Sequence, residues 1–143
     1  MANIVPDSFK TNLLGGTFDF DSSGGSTFKL ALYTTQSGFS TGTTAYTTTN
    51  EVSSSGTNYT AGGNTLTNNG VAVSSNIAFV DFADSTFSSV TLSATGALIY
   101  KCTSNEAVLV LDFGGTKTAT NGDFVVKFPT ADSSNAIIRL GDA

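Results

Sequence analysis

The most constraining feature of this chain is a set of short apolar alternations, each cut off by Gly or Asn. Across 27–34, Phe28, Leu30 and Leu32 point inward and Lys29, Ala31 and Tyr33 outward. A period of two is the mark of a β-strand with one face turned inward. The same period recurs at 17–21, where Phe18 and Phe20 oppose Asp19 and Asp21. Further short runs lie at 65–67, 71–73, 77–82, 89–94, 97–101, 123–128 and 136–140. Residues 107–113 carry Leu109, Leu111 and Phe113 on one face and Val108 and Val110 on the other, which predicts a strand central to a sheet or covered on both sides. Asn68-Asn69-Gly70 suits a tight hairpin turn, and Asn121-Gly122 suits a turn into 123–128. About nine short strands joined this way predict an all-β fold, an antiparallel sandwich or barrel.

One short N-terminal helix precedes the strands. Asp7 is placed to cap it, Phe9, Leu13 and Leu14 share a stripe, and Gly15-Gly16 ends it. The reading is therefore an arm and helix at 1–16 and one β domain at 17–143. Within that domain, 36–63 is a long polar excursion pinned by Tyr46 and Tyr59. A structureless stretch of this length is unusual and often functional. Ala61-Gly62-Gly63 allows the sharp turn back into the sheet.

Composition excludes several kinds of function. Six Lys and Arg against eleven Asp and Glu give a net charge of -5, so a nucleic-acid binder with a basic face is not expected. Histidine is absent, which removes every Ser-His, Cys-His and His-metal arrangement. The one cysteine, Cys102, falls in register with Leu98 and Tyr100 and reads as a buried structural thiol. No apolar run is long enough for a membrane-spanning helix. The opening Met1-Ala2-Asn3-Ile4-Val5-Pro6 has neither a basic segment nor an apolar run, so synthesis in the cytosol is expected.

Three motifs have bland readings. Leu111-Asp112-Phe113-Gly114-Gly115-Thr116-Lys117 looks like the first phosphate loop of hexokinase-type sugar kinases, but too little chain follows it for an adenosine pocket. A hairpin turn is expected there. Asp19/Asp21 and Asp81/Asp84 read as solvated turn and strand-edge aspartates, not cation ligands. Asn58-Tyr59-Thr60 matches a glycosylation acceptor by chance. No catalytic residue, metal or cofactor is expected.

Several segments, in order, carry a resemblance. They are Ser8-Phe9-Lys10 with Leu13-Leu14, Phe28 through Thr34, Glu51-Val52, Tyr59-Thr60-Ala61-Gly62-Gly63, Ala94 through Tyr100, and Leu111-Asp112-Phe113-Gly114-Gly115. Together they resemble a widespread family of small virion structural proteins of tailed bacteriophages. Phe87, where a Trp is expected, and the long 53–58 segment depart from that pattern. The resemblance implies a virion protein made in the host cytoplasm, most simply a capsid decoration or cement protein. Its partners would be the major capsid protein or other virion subunits; a homo-dimer or homo-trimer is expected because small sandwiches have open edge strands that assembly can cover. The family implies no catalytic residues. Candidate partner contacts are Phe9, Leu13, Leu14, Tyr46 and Tyr59; the first three could instead cover the open end of their own domain. One alternative is a tail or fibre component that binds a host surface through 36–63. Another is a carbohydrate-binding module with a groove of Tyr33, Tyr46 and Tyr59.

Overall fold

The computed structural model describes residues 2–141. The protein is mostly β-structure, with one short helix and two antiparallel sheets. Strands β1 (Phe28–Tyr33), β2 (Asn64–Thr65), β5 (Ser85–Lys101) and β6 (Ala107–Val126) form a four-stranded sheet in the order β2-β1-β5-β6. Strands β3 (Asn68–Ser74), β4 (Ile77–Phe82) and β7 (Ile138–Leu140) form a three-stranded sheet in the order β3-β4-β7. Neither sheet closes on itself.

The helix α1 spans Asp7–Leu14. Its cap is Pro6, in extended conformation, and no side chain caps it. Asp7 therefore does not play the capping role its side chain suggests. It is the first helical residue, where a negative charge suits the free amides, and it pairs with Lys10 at 2.7 Å. The helix stops at Gly15, and Gly16 takes the left-handed conformation with φ 83°.

The described residues hold seven strands where about nine are expected: two pairs of runs merge across bulges, and 17–21 forms no ladder. The runs at 89–94 and 97–101 are one strand, β5. Those at 107–113 and 123–128 are joined in β6. Ala94 pairs with Lys117 and Gly96 with Asp112, so Thr95 alone faces Phe113, Gly114, Gly115 and Thr116. The glycine motif is thus an extrusion inside a continuous strand, not a hairpin turn. Asn121-Gly122 is likewise a bulge, with Gly122 opposite Val90. Asn68-Asn69-Gly70 opens β3 instead of turning the chain. The turn falls at Ser75-Asn76, where both φ values are positive (51° and 64°) between the paired Ser74 and Ile77. That is what a two-residue type I′ hairpin demands.

Residues 17–21 keep their alternation without forming a ladder. Phe18 and Phe20 are buried and Asp19 and Asp21 are exposed. Side chains take the place of a neighbouring strand: Asn68 donates to the Phe20 carbonyl at 2.9 Å and Lys101 to the Thr17 carbonyl at 2.8 Å. Phe20 stacks on Phe28 with ring centres 4.6 Å apart and planes 4° from parallel.

Two cores lie on opposite faces of the large sheet. The larger joins Phe9, Phe20, Phe28 and Leu30 to Val80 and Phe82 of the small sheet. The smaller gathers Ala31, Tyr33, Phe39, Leu98, Tyr100 and Val110. Strand β1 is therefore covered on both faces, and Ala31 and Tyr33 do not face solvent as one-sided alternation suggests. Cys102 lies just past β5 and is half-buried, not fully enclosed.

Candidate functional site

The segment 36–63 is the cover of the smaller core. It runs as loop, with single bridges from Glu51 to Tyr33 and from Ala45 to Glu106. At its start Gln36 is buried, a polar side chain lodged in the bulge of the large sheet. Its Nε2 donates to the Leu111 carbonyl at 3.1 Å, and its Oε1 accepts from Thr95 Oγ1 at 2.8 Å. Further along, the Asp7 amide donates to the Thr41 carbonyl at 2.8 Å and the Ser8 hydroxyl to the Thr43 carbonyl at 3.0 Å. The cover is thereby tied to the helix as well as to the sheet.

At its centre stands Glu51, the only charged residue between 36 and 63. Its Oε2 accepts from Tyr46 at 2.6 Å. Its Oε1 accepts from Tyr59 at 2.7 Å and from the Gly62 amide at 2.6 Å. The Tyr59 oxygen in turn accepts the Leu32 amide at 3.0 Å. Tyr100 stacks on Tyr46 at 4.5 Å and donates to the Gly62 carbonyl at 2.7 Å. Tyr33 donates to the Thr47 carbonyl at 2.6 Å. All four tyrosines of the chain meet here. Burial, reinforced by the Glu51 charge, pushes the Tyr100 phenol up to about 12. Burial raises Tyr33, Tyr46 and Tyr59 further still, with Glu51 adding to each. Every hydroxyl stays protonated at neutral pH and donates to a partner within the chain. The cluster is a clamp, in which charge-assisted hydrogen bonds fix the cover to the sheet.

The turn out of the clamp needs glycine. Gly62 and Gly63 have φ values of 89° and 78°. A β-carbon on Gly63 would lie 1.8 Å from the Leu30 carbonyl oxygen. The expected sharp turn at Ala61-Gly62-Gly63 is present.

The candidate contact residues separate into three groups by exposure. Phe9 and Tyr59 are buried, which leaves neither side chain surface to offer a partner. Tyr46 is half-buried in its stack, and Leu13 packs partly on the larger core. Leu14 stands 83% exposed. The groove of Tyr33, Tyr46 and Tyr59 that the carbohydrate-binding alternative requires does not form, because Tyr33 and Tyr59 are both enclosed. Sequence reasoning named Tyr46 and Tyr59 but missed Gln36, and it placed Glu51 in no role. A lone charge in a long polar run was the available signal for Glu51; Gln36 offered none.

The paired aspartates serve local structure. Asp19 accepts the Asp21 amide at 2.9 Å, Asp81 accepts from Asn69 at 2.7 Å, and Asp84 accepts the Phe128 amide at 2.9 Å. No group of three or more metal-ligating side chains occurs among the described residues. Asn58 is held in the left-handed region, and its side chain donates to the carbonyls of Ser88 and Ser89.

Two of the surface hollows carry large apolar side chains. One, of about 590 Å³, lies between α1, β6 and β7 and is lined chiefly by Phe9, Leu13, Val108, Leu109, Ile138 and Leu140. The other, of about 490 Å³, runs beside the bulged half of β6, with Phe113, Phe124 and Phe128 next to Lys117, Lys127 and Asp123. No protein family, no curated protein and no solved structure matches this chain.

Proposed function

We propose that this is a structural protein of a bacteriophage virion, and that it decorates and cements the capsid. Two facing sheets form an open β-sandwich in this reading, stiffened on its second face by the clamped 36–63 cover. The observation that carries the proposal is the apolar end of the molecule. Leu140, 59% exposed, lines the hollow together with Leu13, Val108 and Ile138, and Leu14, which follows Leu13 on α1, is 83% exposed. Exposed apolar surface of this kind marks a place of contact. Much of the remaining surface is Ser, Thr and Asn, which suits a shell exposed to solvent. The ordered set of resembling segments points to the same class of protein. A cement protein has to bury area across seams between subunits, on the order of 1,000 Å² for each specific contact. Many copies then act together.

The test is direct. Purified protein is added to capsids that lack it, and binding and capsid melting are measured. Binding with a raised melting temperature, both lost in Leu14→Asp and Leu140→Asp, is the expected result. Failure to bind, with no shift in melting, ends the cement reading.

The second reading keeps the virion and moves the protein to the tail or a fibre. It is favoured by the rigid mounting of 36–63, whose outer residues Ser53, Ser54, Ser55 and Gly56 are all exposed. A fixed, solvent-facing loop is a suitable recognition element. Copy number separates the readings: hundreds per particle mark the capsid, and a dozen or fewer mark the tail.

A further inference from the structure

The two sheets leave four edge strands, and three of them are guarded. β2 is only two residues long. β7 is three residues long and carries the exposed Arg139. β6 is bridged at Val110 by Ile4, and its free half is broken by bulges and bounded by the exposed Lys117 and Lys127. Short length, bulges and lysines are the ordinary devices that stop a sheet edge from pairing with another chain. β3 has none of these over Val71–Ser74, and no charge anywhere from Asn68 to Asn76.

The direction of its free backbone groups follows from the hairpin. In a two-residue turn the flanking pair, Ser74 and Ile77, exchanges hydrogen bonds with each other. Alternation then turns the N–H and C=O groups of Ala72 toward β4 and those of Val71 and Val73 outward. The same two valines are 56% and 72% exposed. Their side chains stand on the face that carries Val80, because Val71 pairs with Val80 and Val73 with Ala78. That face runs past the end of the core.

We infer that β3 is a self-pairing edge, through which two copies of this chain join antiparallel about a two-fold axis at Ala72. The sequence selects the copy as occupant. Gly70-Val71-Ala72-Val73-Ser74 reads nearly the same in both directions. An antiparallel pair centred on Ala72 sets Val71 opposite the partner's Val73 and Val73 opposite the partner's Val71. The outward groups of both valines then form two hydrogen-bonded pairs, four new bonds in all. Ala72 meets its own copy at the close, non-hydrogen-bonded position, where a methyl side chain fits. Four valines line up on one face, and the two three-stranded sheets become one of six strands. Because the strand is neutral, two chains of net charge -5 approach there without setting like charges opposite each other. Two-fold symmetry makes the contact isologous and closed. The pairing stands independently of the capsid reading.

The contact is smaller than a standard interface of roughly 1,200–2,000 Å², so a dissociation constant of about 10–100 µM is expected. Sedimentation velocity on the full chain, up to about 0.5 mM, reads it. The wild type is expected to dimerise, and V73K and V73P are expected to stay monomeric with unchanged circular dichroism. Proline at 73 removes an outward donor and no bond to β4; V73K keeps the test sound should V73P fail to fold. In a C102S background, A72C is expected to form a disulfide-linked dimer in air, whereas V125C, on β6, is not. A wild type that stays monomeric throughout overturns the inference, as does a dimer that survives both Val73 substitutions. A dimer that A72C fails to cross-link overturns the register.

Discussion

The side-chain amide of Gln36 occupies the place that a β-carbon on Gly96 would need. Built onto the backbone, that carbon would lie 1.4 Å from Gln36 Nε2 and 2.3 Å from the Leu111 carbonyl oxygen. Gly96→Ala is therefore expected to destabilise the protein by at least about 2–3 kcal/mol, since it expels Gln36 and presses on fixed backbone. Gln36→Ala alone should cost about 1–3 kcal/mol by leaving the Leu111 carbonyl without its donor. Urea unfolding of the two single variants and the double variant checks this. The double variant should fall well short of the sum.

Glu51 and Tyr59 should be energetically coupled. Glu51→Gln removes the charge that three donors share, for an expected loss of about 2–3 kcal/mol. Tyr59→Phe leaves the buried Leu32 amide without its acceptor, for about 1–3 kcal/mol. A double-mutant cycle by denaturant unfolding should return a coupling of about 1 kcal/mol or more. Strict additivity would show that the clamp does not act as a unit.

Alkaline pH should unfold the protein from the clamp. A tyrosine raised by burial is protonated in both states below pH 10, so stability there does not depend on it. Above pH 10 the unfolded chain ionises while the folded one resists, and stability falls. Tyr33 and Tyr59, both buried, together give a slope approaching about 2.7 kcal/mol per pH unit. Tyr100, pushed up to about 12, adds to this more weakly. Urea midpoints between pH 8 and 11.5 should be flat and then drop steeply. Phenolate absorbance should appear together with unfolding.

The two sides of α1 should respond in opposite ways. Phe9 is buried against Phe18, with ring centres 5.1 Å apart, so Phe9→Ala should cost about 3–5 kcal/mol. Leu14→Ser should stay within about 0.5 kcal/mol of the wild type, because that side chain is exposed. Thermal melting of both variants separates a structural helix from a detached arm.

Local pattern was legible in this sequence and long-range pairing was not. The alternation around Phe28, Leu30 and Leu32 is written in neighbouring residues, and it located β1. Gly114-Gly115 and Asn121-Gly122 look like turns because positive φ is what they permit. Whether such a residue reverses the chain or merely bulges it depends on the partner strand, which lies far away in sequence. Ser75-Asn76 made the real turn without a glycine, while Asn69-Gly70 beside it drew the prediction. Tyr46 and Tyr59 announced that the excursion was anchored. Tyr33 and Tyr100, from two different strands, gave no sign that they would join the same cluster.

The gathering of every tyrosine around one carboxylate also shapes what light can report. The chain has no Trp, so its near-ultraviolet emission comes from four phenols crowded into a single corner. Such a signal follows the detachment of the cover and is blind to the phenylalanine-rich interior on the other face of the sheet. Fluorescence and backbone dichroism would thus follow different parts of this protein, and any gap between their transitions would time the lifting of one layer from the rest.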